Sequence, residues 1–461
     1  VALWVCTQCQ KTIPANAKPL CDCGGEARLK EIRGSTPASR FLVLELAERL
    51  PFEPRILGYL RLDPPIPRMH RRTPEGVERD IRERIFPRDW FHPTYEGGAD
   101  WQKALDRVNT AAARIARVVV HPDYRSEGFG ALLVRVALEW AKERGAPEAR
   151  REKHLVYTIA QMARYHPFFE KVGFRYLFDT ASGRPVLFYP LTEEAEAHLE
   201  RFLREDPYAK AHGGRLYKPR FGRVPGLPGP IRLAGVHKAY RSHLDLEGLS
   251  REVQEALLAF GVKARVVERA VLRGASLEIP PGSLVVLAGA SGAGKTTLLR
   301  LLLGEAPDAG EVAVPPGRRV AYIPGEREVD LGEAPILEAV YRRLKDVGAA
   351  IEVLNRVGLS DAVLYRARPH ELSTGQRERF RLALLLAERP DLLLIDEFAA
   401  HLDVPTARRV ALGLGKLCRE AGVTLVAATH RPEVVAALDP DLLVYVGYGG
   451  LTTVPRRGPR T

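Results

Sequence analysis

Residues 289–297 read Gly289-Ala290-Ser291-Gly292-Ala293-Gly294-Lys295-Thr296-Thr297, between an apolar run (283–288) and a leucine-rich stretch (298–303). No other stretch constrains the fold as tightly. Apolar strand, glycine loop and helix in that order require a parallel α/β sheet with the loop at a strand's carboxyl end. The glycines let successive backbone N–H groups wrap a phosphate, the Lys295 ammonium reaches the β- and γ-phosphates of a nucleotide, and the Thr296 hydroxyl joins a Mg2+ shell. A second apolar run (392–395) ends in Asp396-Glu397. Asp396 is placed to hold Mg2+ through water, and Glu397 to polarise an attacking water.

Three further segments accompany these two, in a fixed order. Upstream of Asp396 stands Leu372-Ser373-Thr374-Gly375-Gln376-Arg377, downstream stands Ala400-His401-Leu402-Asp403, and His430 closes another apolar run. In order and spacing these resemble the signature, D-loop and switch histidine of ABC-type ATPases, over about residues 231–450. The resemblance implies that Ser373 and Gly375 complete the nucleotide site of a second copy, so that ATP binding drives homodimerisation. Asp403 communicates across that interface, and His430, with Glu397 and Lys295, serves the chemistry at the γ-phosphate. Tyr240 is expected to stack on adenine, although about thirty extra residues separate it from the approach to the loop strand. The chain departs from the family after Tyr322-Ile323-Pro324, where the family has Gln and this sequence has Gly325-Glu326. Glu326 is the expected substitute ligand for Mg2+. A membrane permease partner is not expected, because that Gln is the usual contact to one and extra domains precede the ATPase.

The chain has 461 residues, 46% of them apolar, enough for about three domains of ordinary size. No stretch reaches the roughly 18 to 20 uncharged apolar residues that cross a bilayer, and the first residues do not read as a secretory signal, so the expected location is cytoplasmic. Four of the five cysteines, Cys6, Cys9, Cys21 and Cys23, fall at the beginning of the chain. Two short thiolate knuckles of this kind suit tetrahedral Zn2+ and not a disulfide framework, so residues 1–30 are expected to form a structural zinc ribbon.

Between ribbon and ATPase, residues 41–50 read as a helix-like apolar run and 56–62 as a strand. A β-branched strand follows at 114–120, broken by His121-Pro122-Asp123, a turn in which His121 serves as a turn residue. Arg125, Ser126, Glu127, Gly128, Phe129, Gly130 and Ala131 then lead into a helix stopped by Gly145. A helix N-terminus after such a turn presents free N–H groups to a pyrophosphate. The wording resembles the acyl-CoA-binding motif of GNAT-type N-acyltransferases, and Tyr165-His166-Pro167-Phe168-Phe169-Glu170-Lys171-Val172-Gly173-Phe174 is similar to that family's late helix-to-strand element. The resemblance implies a GNAT-like domain over residues 31–195 that binds acetyl-CoA or another acyl-CoA through the strand end Val118, Val119, Val120 and the turn. Phe169 stands where the family commonly has an acidic Tyr, which leaves Tyr165, one turn earlier, as the candidate acid for acyl transfer. The strand before the turn carries no Glu to act as base.

Net charge is +12, which favours polyanionic partners. Residues 207–244 hold eight Lys and Arg and no acid, with Tyr208, Tyr217 and Phe221 interleaved, so residues 196–230 read as a charged helix and a basic Gly/Pro-rich linker suited to phosphates and base stacking. The expected architecture is an α/β multidomain chain: zinc ribbon, GNAT-like α+β domain, linker, and P-loop ABC ATPase domain (231–461). The whole resembles the family of ABC-type ATPases fused to a predicted acetyltransferase domain. That family reading implies ATP hydrolysis coupled to acyl transfer onto a macromolecule, RNA or DNA. The alternative is a nucleic-acid-remodelling ATPase whose GNAT-like part only recognises.

Overall fold

The computed structural model describes residues 2–6, 12–15, 27–29, 38–48, 54–66, 68–91, 110–121, 124, 128–149, 151–244, 246–262, 265–325 and 330–456. The chain divides into two compact units, Val1–Tyr217 and Lys218–Thr461.

In the first unit, β1 (Ala2–Cys6), β2 (Thr12–Ala15) and β3 (Ala27–Leu29) form an antiparallel sheet in the order β2-β1-β3. A six-stranded sheet follows. Its strands are β4 (Arg40–Glu45), β5 (Ile56–Asp63), β8 (Ala112–Val120), β9 (Leu155–Ile159), β10 (Arg175–Asp179) and β11 (Pro185–Pro190), in the order β10-β11-β9-β8-β5-β4. A short ribbon, β6 (Arg71–Thr73) with β7 (Gly76–Glu78), and the turn of helix α1 (Arg82–Ile85) lie between β5 and β8 in the chain. Only β8 and β9 run parallel. The run 41–50, read as helical, is the edge strand β4 over residues 41–45: Leu42 and Leu44 face the core while Phe41 and Val43 face water, a period of two that a short window does not separate from a helix.

Helix α2 (Phe129–Arg144) covers one face of this sheet through Leu133, Val134, Ala137, Leu138 and Ala141, and ends at Gly145 with φ +59°. The other face, over β9 to β11, is covered by α1 and by α3 (Glu193–Glu205), which Thr192 caps, and carries Trp90, Phe91, Tyr157 and Phe188. Helix α4 (Pro207–His212) follows α3 and is capped by Asp206.

The second unit opens with β12 (Ile231–Leu244) and β13 (Arg265–Ile279), a long hairpin whose excursion holds α5 (Arg251–Ala259); β15 (Ala309–Ala313) completes this antiparallel sheet. The main sheet contains β14 (Leu284–Ala288), β16 (Val320–Ile323), β17 (Leu392–Ile395), β18 (Thr424–Ala428), β19 (Leu442–Gly447) and β20 (Gly450–Pro455), in the order β16-β17-β18-β14-β19-β20. All but β20 are parallel, and the central strands are apolar on both faces, as a sheet covered on both sides requires. Helix α6 (Lys295–Leu302) packs with the hairpin side. Helices α7 (Ile336–Leu344), α8 (Val347–Arg356), α9 (Thr374–Ala387), α10 (Val404–Ala421) and α11 (Pro432–Leu438) build the other core.

Residues 196–230 do not form a free linker. Helices α3 and α4 belong to the first unit, whereas Phe221, Val224 and Leu227 are buried in the second. Glu352 accepts the N–H groups of Arg220 and Phe221 at 2.7 and 3.1 Å, and the Arg389 guanidinium lies 5.0 Å over the Phe221 ring. Phe221 is therefore a core anchor and not a platform for bases. A ring spaced among arginines has the same sequence signature in either role.

Candidate nucleotide and acyl-CoA sites

Because β14, β16, β17 and β18 are parallel neighbours, the residues that follow each one emerge on a single edge. These are Gly289 after β14, Gly325 near the end of β16, Asp396 and Glu397 after β17, and His430 after β18. The carboxyl edge of such a sheet is where ligands bind. Two glycines there are obligatory. A Cβ on Gly289 (φ +148°) would sit 2.2 Å from the Val446 carbonyl oxygen, and one on Gly294 (φ +109°) 2.5 Å from Val271 Cγ1. The Lys295 ammonium donates to the Gly289 and Ala290 carbonyls, both at 2.8 Å, and so lies inside the loop.

Thr296 Oγ1 donates to Asp396 Oδ2 at 2.7 Å, and Asp396 Oδ1 accepts the Glu397 N–H at 3.1 Å. Asp396 is buried and Glu397 exposed. A hydroxyl and a carboxylate already in contact are donors of the hard, oxygen type that Mg2+ takes, so the residues fit the ion. Glu397 holds φ +49°, a left-handed backbone uncommon outside glycine. Its carboxyl group lies against Gly325, where an added Cβ would come 3.1 Å from Glu397 Cδ and Oε2. The Glu397 side chain thus takes up the space beside Gly325. Glu326 lies outside the described residues.

Ser373 caps α9 in a reciprocal box with Gln376: its Oγ accepts the Gln376 N–H at 3.3 Å, and Gln376 Oε1 accepts the Ser373 N–H at 2.9 Å. The cap uses an oxygen lone pair and leaves the hydroxyl proton for another acceptor. Gly375 packs under Leu402, and Asp403 caps α10 through the Thr406 N–H, the main cause of its lowered pKa. Burial raises the pKa of Glu378 on α9, 3.7 Å from His401 Nδ1. His430 is exposed at the strand end.

Tyr240 is half-buried, with its hydroxyl donating to Glu305 at 3.3 Å and Lys238 Nζ 5.7 Å from its ring centre. In register it faces Arg269, whose Nη2 donates to the Gly292 carbonyl at 2.9 Å and so ties the hairpin to the phosphate loop. Arg269 was not legible from the sequence. Its place beside Tyr240 depends on strand pairing across the insertion.

In the first unit, the parallel ladder of β8 with β9 covers only Ala112 to Ile115, whereas β8 runs on to Val120. Beyond Ile115 the side of β8 toward β9 has no ladder partner, next to the turn before α2. Gly128 opens that helix with φ +88°, and a Cβ on Gly130 would meet the Phe168 ring at 3.0 Å. Val118, Val119 and Val120 end the strand, and Phe129 and Ala131 start the helix, while Arg125, Ser126 and Glu127 lie outside the described residues. Phe169 is buried, edge-on to Phe168 and Phe174 at 4.7 and 5.2 Å, so it has a packing role. Tyr165 is half-buried beside it in the chain. His166, to which the sequence motif assigns no role, has its pKa lowered to about 4 by burial and then by Lys171, so its imidazole is neutral at neutral pH.

Cys6 ends β1; Cys9, Cys21 and Cys23 lie outside the described residues, among which no cluster of His, Cys, Asp or Glu is arranged to hold a metal. No described helix is long and apolar enough to cross a membrane.

The sequence profile of the ABC transporter family matches residues 272–400, and that of the GNAT acetyltransferase domain matches residues 96–176. The chain is 34% identical over 198 residues to the zinc import ATP-binding protein ZnuC of Ruegeria pomeroyi, covering 42% of this chain and 75% of that protein. It is 35% identical over 193 residues to the lipoprotein-releasing system ATP-binding protein LolD 1 of Rhodospirillum rubrum, covering 37% and 84%. With the methionine import ATP-binding protein MetN of Mesorhizobium japonicum it shares 34% identity over 209 residues, but spans only 56% of that protein's length. Among solved structures, a dimeric ATP-binding cassette bound to ADP and Pi is 22% identical and covers 50% of this chain, with a TM-score of 0.38.

Proposed function

Since the chain belongs to the ABC-type ATPase family through its second unit and carries a GNAT-type domain in its first, we propose that it uses ATP binding and hydrolysis to control acyl transfer to a macromolecule, with RNA or DNA as the favoured acceptor. The observation that carries the ATPase half is the Thr296–Asp396 contact at the edge where Lys295, Glu397 and His430 also emerge. Bound Mg2+ supplies charge neutralisation at the phosphates, with Thr296 and Asp396 as its protein side. Lys295 exchanges its loop carbonyls for β- and γ-phosphate oxygens, and Tyr240 supports the base. Glu397 takes the proton of the attacking water, and His430 orients water and γ-phosphate. Ser373 and Gly375, with Asp403 behind them, close the site of a second copy, so ATP acts as the adhesive of a homodimer.

Acyl-CoA places its pyrophosphate at the N-terminus of α2 and its thioester beside the unladdered end of β8. An acceptor amine then attacks the thioester carbonyl; the C–N bond forms, the C–S bond breaks, the departing thiolate takes a proton from Tyr165 or water, and the proton the amine nitrogen loses passes through water to restore that donor. The four cysteines hold Zn2+ in a structural ribbon, and Arg215, Lys218 and Arg223, all exposed, add phosphate-backbone attraction. The Gly325–Glu397 contact, in place of a Gln that reaches a partner, favours this reading over a permease-bound importer.

The test incubates purified protein with labelled acetyl-CoA, ATP, and total RNA, DNA and protein, with and without nuclease. Nuclease-sensitive label, lost in Lys295→Ala, is the expected result. Undiminished transfer by Lys295→Ala overturns the coupling. A second reading rests on the buried Phe169 and the lack of a carboxylate on β8: acetyl-CoA bound stoichiometrically, with no label passed on, would make the first unit a recognition module. The Gly325–Glu397 packing yields a separate expectation. Gly325→Ala pushes the Glu397 carboxyl group aside and lowers kcat for ATP hydrolysis by about tenfold with KM within about twofold, because only the proton acceptor moves.

A further inference from the structure

On the face of the GNAT-type sheet away from α2, two arginines stand directly opposite one another. Arg61 of β5 pairs in register with Arg117 of β8, and one step along the same two strands Asp63 pairs with Arg114. The register slips by one residue between these pairs, a bulge at Ala116. Without that bulge Arg114 and Arg117, three apart, would point to opposite faces; with it both share the face of Arg61 and Asp63. Like charges directly across a ladder are destabilising, so this arrangement works against the fold unless something anionic lies on it.

The cluster is short of acceptors. Asp63 is its sole carboxylate among the described residues; its oxygens accept from Ser39 Oγ at 2.8 Å and Arg114 Nη2 at 2.8 Å, and lie 3.1 Å from Arg61 Nε as an ion pair without a hydrogen bond. Arg61 is 6% exposed, yet its Nη1 has no hydrogen-bond partner, nor has Arg114 Nε. Three guanidinium groups against one carboxylate leave a formal charge of +2 where a buried donor left unpaired is costly. Beside them on the same face stands an aromatic platform. Phe41, in register with Arg61, is 41% exposed, and its ring is 6.2 Å from that of Tyr59. Arginines next to an exposed Phe41 ring and a half-buried Tyr59 ring match a phosphate together with a base that can stack, and match a simple carboxylate less well.

We propose that this face, built by Arg61, Arg114, Arg117, Phe41 and Tyr59, is a nucleotide-binding subsite, and that it holds the acyl acceptor by a phosphate and an adjacent base. The inference rests on the acyl-transfer reading for its role, since Arg117 lies just before the strand end assigned to acyl-CoA, but the binding itself does not depend on transfer.

The test uses the full chain with saturating ADP and Mg2+ to fill the second unit's site, and a fluorescein-labelled six-nucleotide single strand as probe, read by anisotropy. Arg117 is exposed, so Arg117→Met should fold normally. It is expected to weaken binding about tenfold and to lower the slope of log Kd against log salt by about one, with Arg117→Lys retaining most of that slope. Phe41→Ala should weaken binding without changing the slope. A nucleoside monophosphate, which carries both the phosphate and the base, should compete, and its failure to do so overturns the proposal. Glutamate should not compete. Unchanged binding in both Arg117→Met and Phe41→Ala, or competition by glutamate equal to that of the monophosphate, overturns the proposal. Calorimetry with acetyl-CoA separates the two ideas: if acetyl-CoA fails to bind wild type while the strand binds through Arg117, the acyl-transfer reading fails and the subsite stands.

Discussion

Glu397→Gln is expected to slow ATP hydrolysis by about 10²- to 10⁴-fold, the usual contribution of a positioned general base. Nucleotide affinity should change little. Glutamine has the size of glutamate, so it keeps the packing against Gly325, and the backbone that aims it is fixed independently: Asp396 Oδ1 holds the Glu397 N–H, and the Phe398 N–H donates to the Ala428 carbonyl at 2.8 Å. What is lost is the ability to take a proton. A variant that binds ATP but does not consume it should also accumulate as the closed dimer, because reopening then has no trigger. Steady-state phosphate release and gel filtration in ATP and Mg2+ check both outcomes together. A variant that keeps more than about a tenth of the wild-type rate would remove Glu397 from the role of base and leave the neighbouring Glu326 as the residue to examine.

Asp206→Ala is expected to destabilise the first unit by about 3 to 5 kcal/mol, the cost of leaving a buried charge without its partner. Asp206 binds the Arg71 guanidinium through two oxygens at 2.8 and 2.7 Å, and both side chains are almost wholly buried. It also caps α4, accepting the Tyr208 and Ala209 N–H groups at 3.1 and 2.9 Å. Arg71 would remain between the Phe202 and Tyr208 rings with Glu78, 3.7 Å away, and the exposed Glu75 to answer its charge. All four tryptophans, Trp4, Trp90, Trp101 and Trp140, precede residue 218, so tryptophan fluorescence in a urea titration follows this unit alone. Burial by itself would raise the Asp206 pKa, but Arg71 and the helix N–H groups more than offset it, and the folded value is lowered. The stabilisation is therefore present above the unfolded value of about 3.9 and lost as pH falls through the folded one. The difference between wild type and Asp206→Ala should accordingly narrow below about pH 4. A shift under about 1 kcal/mol at pH 7 would show that water reaches Arg71 once the carboxylate is gone.

Much of the candidate nucleotide site was legible because its parts are local. A strand, a glycine loop and a helix are specified within a dozen residues, and the backbone angles that Gly289 and Gly294 adopt are ones the sequence can announce only with glycine. The order of the later motifs then settled the family, and the turn before Phe129 did the same for the GNAT-type domain. Tertiary structure decided what depends on pairing between distant segments. The Arg71–Asp206 pair joins residues 135 apart in sequence, and Arg269 reaches the phosphate loop only because β13 pairs with β12 across the α5 excursion. Phe221 has the composition of a stacking residue and the position of a core anchor. The run 41–50 has an apolar content that suits helix or strand, and pairing with β5 made its first five residues an edge. A one-residue bulge at Ala116, which no sequence periodicity shows, turned Arg114 and Arg117 onto one face. Local chemistry is written along the chain, whereas register is set by which strands meet, and a single residue of register moves a side chain from one face of a sheet to the other.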